Sequence, residues 1–146
     1  MKRWSPFLAG AVVIVQCMAA PVAGAAPLRA DHPFVGNWII DVPGTTCSET
    51  YRPRADGTMS VTSAAEETEA VIVVDDKPDA RGFYKEVETL VKSNGKPDCQ
   101  GNTGTLGNSN ANYLLFNEAG DKYLLCNEPD VQTCVGPARR VKDASR

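Results

Sequence analysis

The side chains whose types and spacing could do chemistry are few. They are Cys47, Cys99, Cys126 and Cys134, the histidine His32, the acidic runs Glu66-Glu67-Glu69 and Asp75-Asp76-Asp79, and the glycine-spaced stretch from Gly101 to Asn110. Zinc ligation needs closely spaced Cys or His pairs. The chain has no C-x-x-C and only one histidine, so its cysteines read as two disulfides and no metal. Three connectivities are open. Proximity favours Cys126–Cys134, with Cys47–Cys99 closing a longer loop worth about 3 to 4 kcal/mol of unfolded-chain entropy. A hydrolytic triad needs a fixed histidine, and His32 falls in an Ala- and Pro-containing stretch expected to fray. Neither acidic run has the alternating oxygens, central glycine and terminal glutamate of a calcium loop, so both read as solvated turns. Gly101, Gly104 and Gly107 lack the Gly-Lys-Ser/Thr ending of a phosphate cradle and read as a flexible loop. The reading is a protein that is not an enzyme and that carries no cofactor.

These residues must be positioned by a single domain, because 146 residues allow one core. Residues 1–25 have the form of a cleaved secretory signal peptide. Lys2 and Arg3 precede the apolar run Phe7 to Val15, and Ala23-Gly24-Ala25 offers the small residues that cleavage needs. Gln16, Pro21 and Gly24 interrupt the run, so no membrane span is expected after cleavage. Residues 26–33 are expected to be a flexible N-terminal segment and 34–142 a single β-barrel domain. Loss of Lys2 and Arg3 takes the formal charge from −3 to about −5. With Arg139, Arg140 and Lys142 as the only basic cluster, nucleic acid is excluded as a partner. A signal peptide and paired cysteines imply a secreted or periplasmic location.

Closely spaced turn signals predict an all-β fold. Strands are expected at Val35 to Asp41, Cys47 to Arg52, Thr58 to Ser63 and Ala70 to Val74, with Asp56-Gly57 turning the second into the third. Ala64 to Ala70 could make one helical turn. Phe83 to Lys92 alternates Phe83, Val87 and Val91 with charged residues, and Asn94-Gly95 is a turn signal. Asn112 to Asn117 and Lys122 to Asn127 form the clearest hairpin, and Val135 to Val141 closes the set. About eight short antiparallel strands in a meander remove their exposed edges by closing into a small barrel.

Gly36-Asn37-Trp38 on the first strand, with Arg139 and Arg140 on the last, resembles the Gly-x-Trp signature of lipocalins and related calycins. Asp121-Lys122-Tyr123 loosely resembles a second motif of that family. The resemblance implies a lipocalin-like barrel with the tryptophan plugging one end, a late arginine packed across it, and ligand binding inside. The chain lacks the family's long C-terminal helix. Tyr113 to Phe116 and Tyr123 to Leu125 are apolar on both faces, so one face needs a cover: a ligand inside, a partner chain or a homodimer outside, or the Ala64 to Ala70 segment. The expected function is non-catalytic binding of a small apolar ligand, with Trp38, Ile40, Phe83, Val87, Tyr113 and Leu115 lining the site. That reading requires an internal cavity of about 300 Å³ or more. The alternative is a protein-binding module, such as an inhibitor or envelope accessory factor, acting through the Gly101 to Asn110 and Asn127 to Thr133 loops.

Overall fold

The structure, a computed structural model, describes residues 25–142. The signal-peptide reading, with Cys17, therefore lies outside the described residues except at Ala25. Eight antiparallel strands run β1 (Trp38–Asp41), β2 (Ser48–Pro53), β3 (Thr58–Ser63), β4 (Glu66–Val74), β5 (Phe83–Ser93), β6 (Ser109–Phe116), β7 (Lys122–Cys126) and β8 (Cys134–Arg140). Each strand pairs with the next. The barrel closes where β8 returns to β1, through Trp38 opposite Arg140 and Ile39 opposite Arg139. Closure satisfies both edges of the sheet with backbone hydrogen bonds. Among the described residues no helix is long and apolar enough to cross a membrane.

The turns explain the local order. Gly57 ends the β2–β3 turn with φ +81°, and a Cβ there would sit 2.5 Å from the carbonyl oxygen of Ala26, so only glycine fits. Ala64 to Ala70 forms no helical turn. Ser63 pairs with Glu66 across a two-residue turn, and β4 begins at Glu66, because ladder bonds to β3 satisfy more backbone than one isolated helical turn would. Asn94-Gly95 does not form a tight hairpin either, since the chain leaves β5 there for a long loop over residues 94–108.

Residues 26–33, expected to fray, pack against the barrel. The Leu28 amide donates to Ala55 O at 2.9 Å, His32 is buried at 3% exposure, and Phe34 enters the core. The imidazole of His32 supplies the reason. Its Nδ1 accepts from the Phe34 amide, its Nε2 lies 3.1 Å from Asp75 O, and its ring meets Tyr84 edge-on. This segment closes one end of the barrel. Above it Phe34, Trp38, Ile40, Met59, Ile72, Leu114, Tyr123 and Ala138 form the core.

Trp38 and Arg140 meet at the same end, as the resemblance implies. The Arg140 guanidinium lies 4.2 Å from the indole centroid and donates to Val35 O and Pro33 O, while its Nε donates to Gly120 O. Gly36 has φ +140°, and a Cβ there would come within 2.4 Å of Arg140 Nη1. Arg139 points away and pairs with Asp41 on the outer surface.

Candidate functional site

The interior is incompletely filled at the other end, where the β1–β2, β3–β4, β5–β6 and β7–β8 connections emerge. A mouth chamber of about 290 Å³ is walled by Glu49, Tyr51, Val61, Ser63, Glu66, Thr68, Ala70, Glu88, Leu90 and Asn110, with Asp98 and Thr103 to Thr105 of the 94–108 loop above them. An inner chamber of about 160 Å³ is walled by Phe34, Tyr51, Met59, Glu86, Glu88, Asn112, Leu114, Tyr123 and Leu125. Tyr51 and Glu88 belong to both walls. The mouth chamber is close to the size expected of a binder and stands at the low end of small-molecule pockets, which run about 300 to 1,000 Å³.

The 94–108 loop is fastened over the mouth. The disulfide Cys47–Cys99 anchors it to the start of β2, and Cys126–Cys134 links β7 to β8, so the four cysteines pair as proximity suggested. The Cys99 amide donates to Ser63 Oγ at 2.9 Å, and that hydroxyl donates to Glu49 Oε1 at 2.7 Å. The Gly104 amide donates to Glu66 Oε1 at 2.7 Å. A Cβ on Gly104 would approach Leu90 to 2.7 Å, so the loop rests on the interior side chains with no side chain of its own at that point.

Four strand carboxylates, Glu49, Glu66, Glu86 and Glu88, line the chambers, with Asp98 of the 94–108 loop a fifth at the mouth, and among the described residues no Lys, Arg or His lines either one. Glu49 is engaged by Ser63 and by the Tyr51 hydroxyl, and Glu66 by Gly104. Glu86 is 2% exposed. Its Oε2 accepts from the Asn112 side-chain amide at 3.0 Å, and its Oε1 has no hydrogen-bond partner among the described residues. Burial, with repulsion from Glu88, pushes its pKa up to about 8, against the fall that the Asn112 bond alone would produce. Glu86 is therefore a neutral acid at neutral pH. Burial also raises Glu88, reinforced by Glu49 and opposed by a bond from Asn110, and it raises Tyr51 and Tyr123 so that both stay protonated phenols. An unpaired buried carboxyl oxygen costs about 1 to 3 kcal/mol, so the fold tolerates a local penalty here.

The six expected lining residues divide between two faces. Trp38 and Ile40 point inward, and Trp38 is buried in the plugged end. Phe83, Val87, Tyr113 and Leu115 stay together as expected, but on the outer face, with Phe83 opposite Leu115 and Val87 opposite Ala111. The cause is the pairing of β5 with β4, which sets Leu90 beside the inward Ala70 and Glu88 beside the inward Ile72. Ala70 pairs with Leu90 and Glu69 with Lys92, leaving Val91 over, and this extra residue exchanges the faces of β5. Ser93 opposes the inward Thr68 beyond the bulge, whereas Tyr84, Glu86, Glu88 and Leu90 turn inward before it. β6 takes its register from β5 and follows. Phe83 is then covered from outside by the Arg81 guanidinium, which also donates to Pro129 O of the 127–133 loop.

Sequence reasoning missed Glu49, Glu86 and Glu88, and it placed Glu66 in a solvated turn. Glu66 is buried, while Glu67 and Glu69 face out and Lys92 pairs with Glu69 at 2.8 Å. The Asp75 to Asp79 run is a surface turn as expected, with Asp79 accepting from the Arg81 and Phe83 amides. The available signal for β5 was that Tyr84 and Leu90 share the register of its glutamates. No protein-family model, curated protein or solved structure matches the chain.

Proposed function

We propose that the chain is a non-catalytic, secreted or periplasmic binding protein that admits a small molecule to the barrel interior beneath the 94–108 loop. One observation carries this reading: a closed barrel, plugged at one end by the N-terminal segment, keeps two adjoining chambers at the other. A barrel built only as a scaffold gains from filling such space with side chains. Phe34, Met59, Leu114 and Leu125 suit the apolar body of a ligand, and the glutamates, Asn110 and Asn112 suit a polar head. The ligand class is therefore amphiphilic where the sequence alone suggested an apolar one. The two disulfides support export to an oxidising compartment.

Native mass spectrometry of the oxidised protein, purified without denaturation, tests the proposal. The expected result is a retained small mass that Ala70→Leu, which fills the mouth chamber, diminishes. A protein that retains nothing and whose stability Ala70→Leu raises would show that the chambers are packing defects. A second reading, recognition of a protein through the loops, is favoured by Leu106 at 61% and Val131 at 53% exposure on the 94–108 and 127–133 loops. It predicts that Leu106→Ser abolishes capture of the partner while leaving the chambers' contents unchanged.

A further inference from the structure

We propose that the inner chamber is a binding site for the ammonium group of a small organic amine, held by the free carboxyl oxygen of Glu86 together with Glu88. The inference rests on the small-molecule reading above and names the chemistry of the ligand's head.

Three features point to it independently. Glu86 is almost wholly buried on the chamber wall, and its Oε1 lacks any partner although Oε2 has one, so an acceptor stands unused where a ligand donor would lie. Charge is the second feature. Glu88 shares the same wall and Glu49 the adjoining one, and among the described residues no basic side chain lines either, so these supply no counter-charge of the kind that buried carboxylates require. The third is aromatic character: Phe34, Tyr51 and Tyr123 also line the inner chamber, and aromatic rings attract a desolvated cation. Met59, Leu114 and Leu125 receive the amine's hydrocarbon part. A bare metal ion fits less well, because Ca²⁺ takes six to eight oxygen ligands and Mg²⁺ six. Among the described residues no group of three or more His, Cys, Asp or Glu side chains is placed to hold one.

Binding is then coupled to a proton. The groups facing Glu86 are Glu88 on its own strand, Tyr51 and Glu49 of β2, Asn112 of β6 and Tyr123 of β7, with Met59 of β3 and Leu114 completing the wall. With the Glu86 pKa up to about 8, an arriving ammonium displaces the carboxyl proton to solvent and pairs with the carboxylate. Affinity should fall about tenfold for each pH unit below that value, approaching one proton released per ligand.

Calorimetric titration with 2-phenylethylammonium, its neutral isostere 2-phenylethanol and the anion phenylacetate tests the site at pH 6.5 and 8.5, in buffers of different ionisation enthalpy. The ammonium should bind at least about tenfold tighter than the alcohol at pH 8.5, release a proton at pH 6.5, and lose at least about tenfold in Glu86→Gln. Glu88→Gln should weaken it as well, and both variants should weaken the ammonium at least about tenfold more than the alcohol, which separates loss of charge from a folding defect. If the alcohol binds as well as the ammonium and neither variant matters, the amine assignment is overturned while the small-molecule reading stands. If none of the three probes binds, and none displaces a mass retained on purification, the amine assignment is overturned. If, in addition, no mass is retained, the small-molecule reading fails with it.

Discussion

Replacing Glu86 with glutamine should change how the stability of the protein depends on pH, in a direction and size set by its burial. The unfolded chain releases this proton near pH 4.5, whereas the native protein holds it to about pH 8. The native state is thus favoured fully below the lower value, and the advantage drains away as pH rises toward the upper one. The slope for one proton is about 1.4 kcal/mol per pH unit, flattening as the native group itself ionises. Between pH 6.5 and 9 the wild-type protein should lose about 2 kcal/mol from this group. That window starts where His32 is already neutral and ends before the tyrosines matter, since burial keeps Tyr51 and Tyr123 protonated in the native state. Glutamine preserves the shape, can still accept from Asn112 and does not ionise in the unfolded chain, so the variant should exceed wild type by about 3 kcal/mol at pH 6.5 and by about 5 kcal/mol at pH 9. Urea denaturation followed by circular dichroism at both pH values, with disulfides intact, measures this. Equal pH slopes in the two proteins would refute the burial argument, because they would mean that Glu86 ionises in the native state as freely as in the unfolded chain.

Other perturbations test the fastenings. Replacing Cys47 and Cys99 with serine should cost about 4 kcal/mol, since a 52-residue separation is released, and should increase amide exchange in the 94–108 loop before the rest of the barrel. Arg140→Ala should cost about 1 to 3 kcal/mol by removing the cation over Trp38 and three carbonyl contacts, read as a fall in urea midpoint, whereas Arg139→Ala should be nearly neutral. Gly36→Ala should destabilise similarly, because its Cβ meets the Arg140 guanidinium and φ is +140°. His32 is lowered by burial, against the bond to Asp75 O, so its contribution is present above pH 6.5 and is lost as pH falls through the lowered native value. Histidine NMR titration should show the neutral ring persisting below pH 6.5, and exchange in the 25–36 segment should rise once it protonates.

Much of the fold was legible because its signals are local. Period-two alternation, Asp56-Gly57, and the Asn117 to Asp121 turn each act over a few residues, and they yield eight strands and a meander. Cys126 and Cys134 lie close enough in sequence to pair across one hairpin, which leaves Cys47 and Cys99 to each other. Trp38 and Arg140 were also visible, since a buried aromatic on the first strand and a cation on the last have one means of meeting in a closed barrel. The helical turn at Ala64 to Ala70 and the frayed 26–33 segment were misread for one reason: neither has local propensity for its actual state, and both are held by distant partners, β3 for the first and Ala55, Asp75 and Arg140 for the second.

The site itself was decided by tertiary structure. Alternation along Phe83 to Ser93 states that two faces exist and not which one looks inward; pairing with the inward Ala70 and Ile72 of β4 settled that, with Val91 left over where the faces exchange. Once it had, Phe83, Val87, Tyr113 and Leu115 became the outer wall, and Glu86 and Glu88 became the lining of a chamber. Sequence by itself determined the all-β class, the set of about eight strands, their order and the even number of cysteines after the expected signal peptide, because these depend on neighbours in the chain and on composition; the structure then chose among three connectivities. Which carboxylates are buried, which remain unpaired and how far burial alters their protonation depend on the dielectric and the partners that closure brings together, and those exist only in the folded barrel.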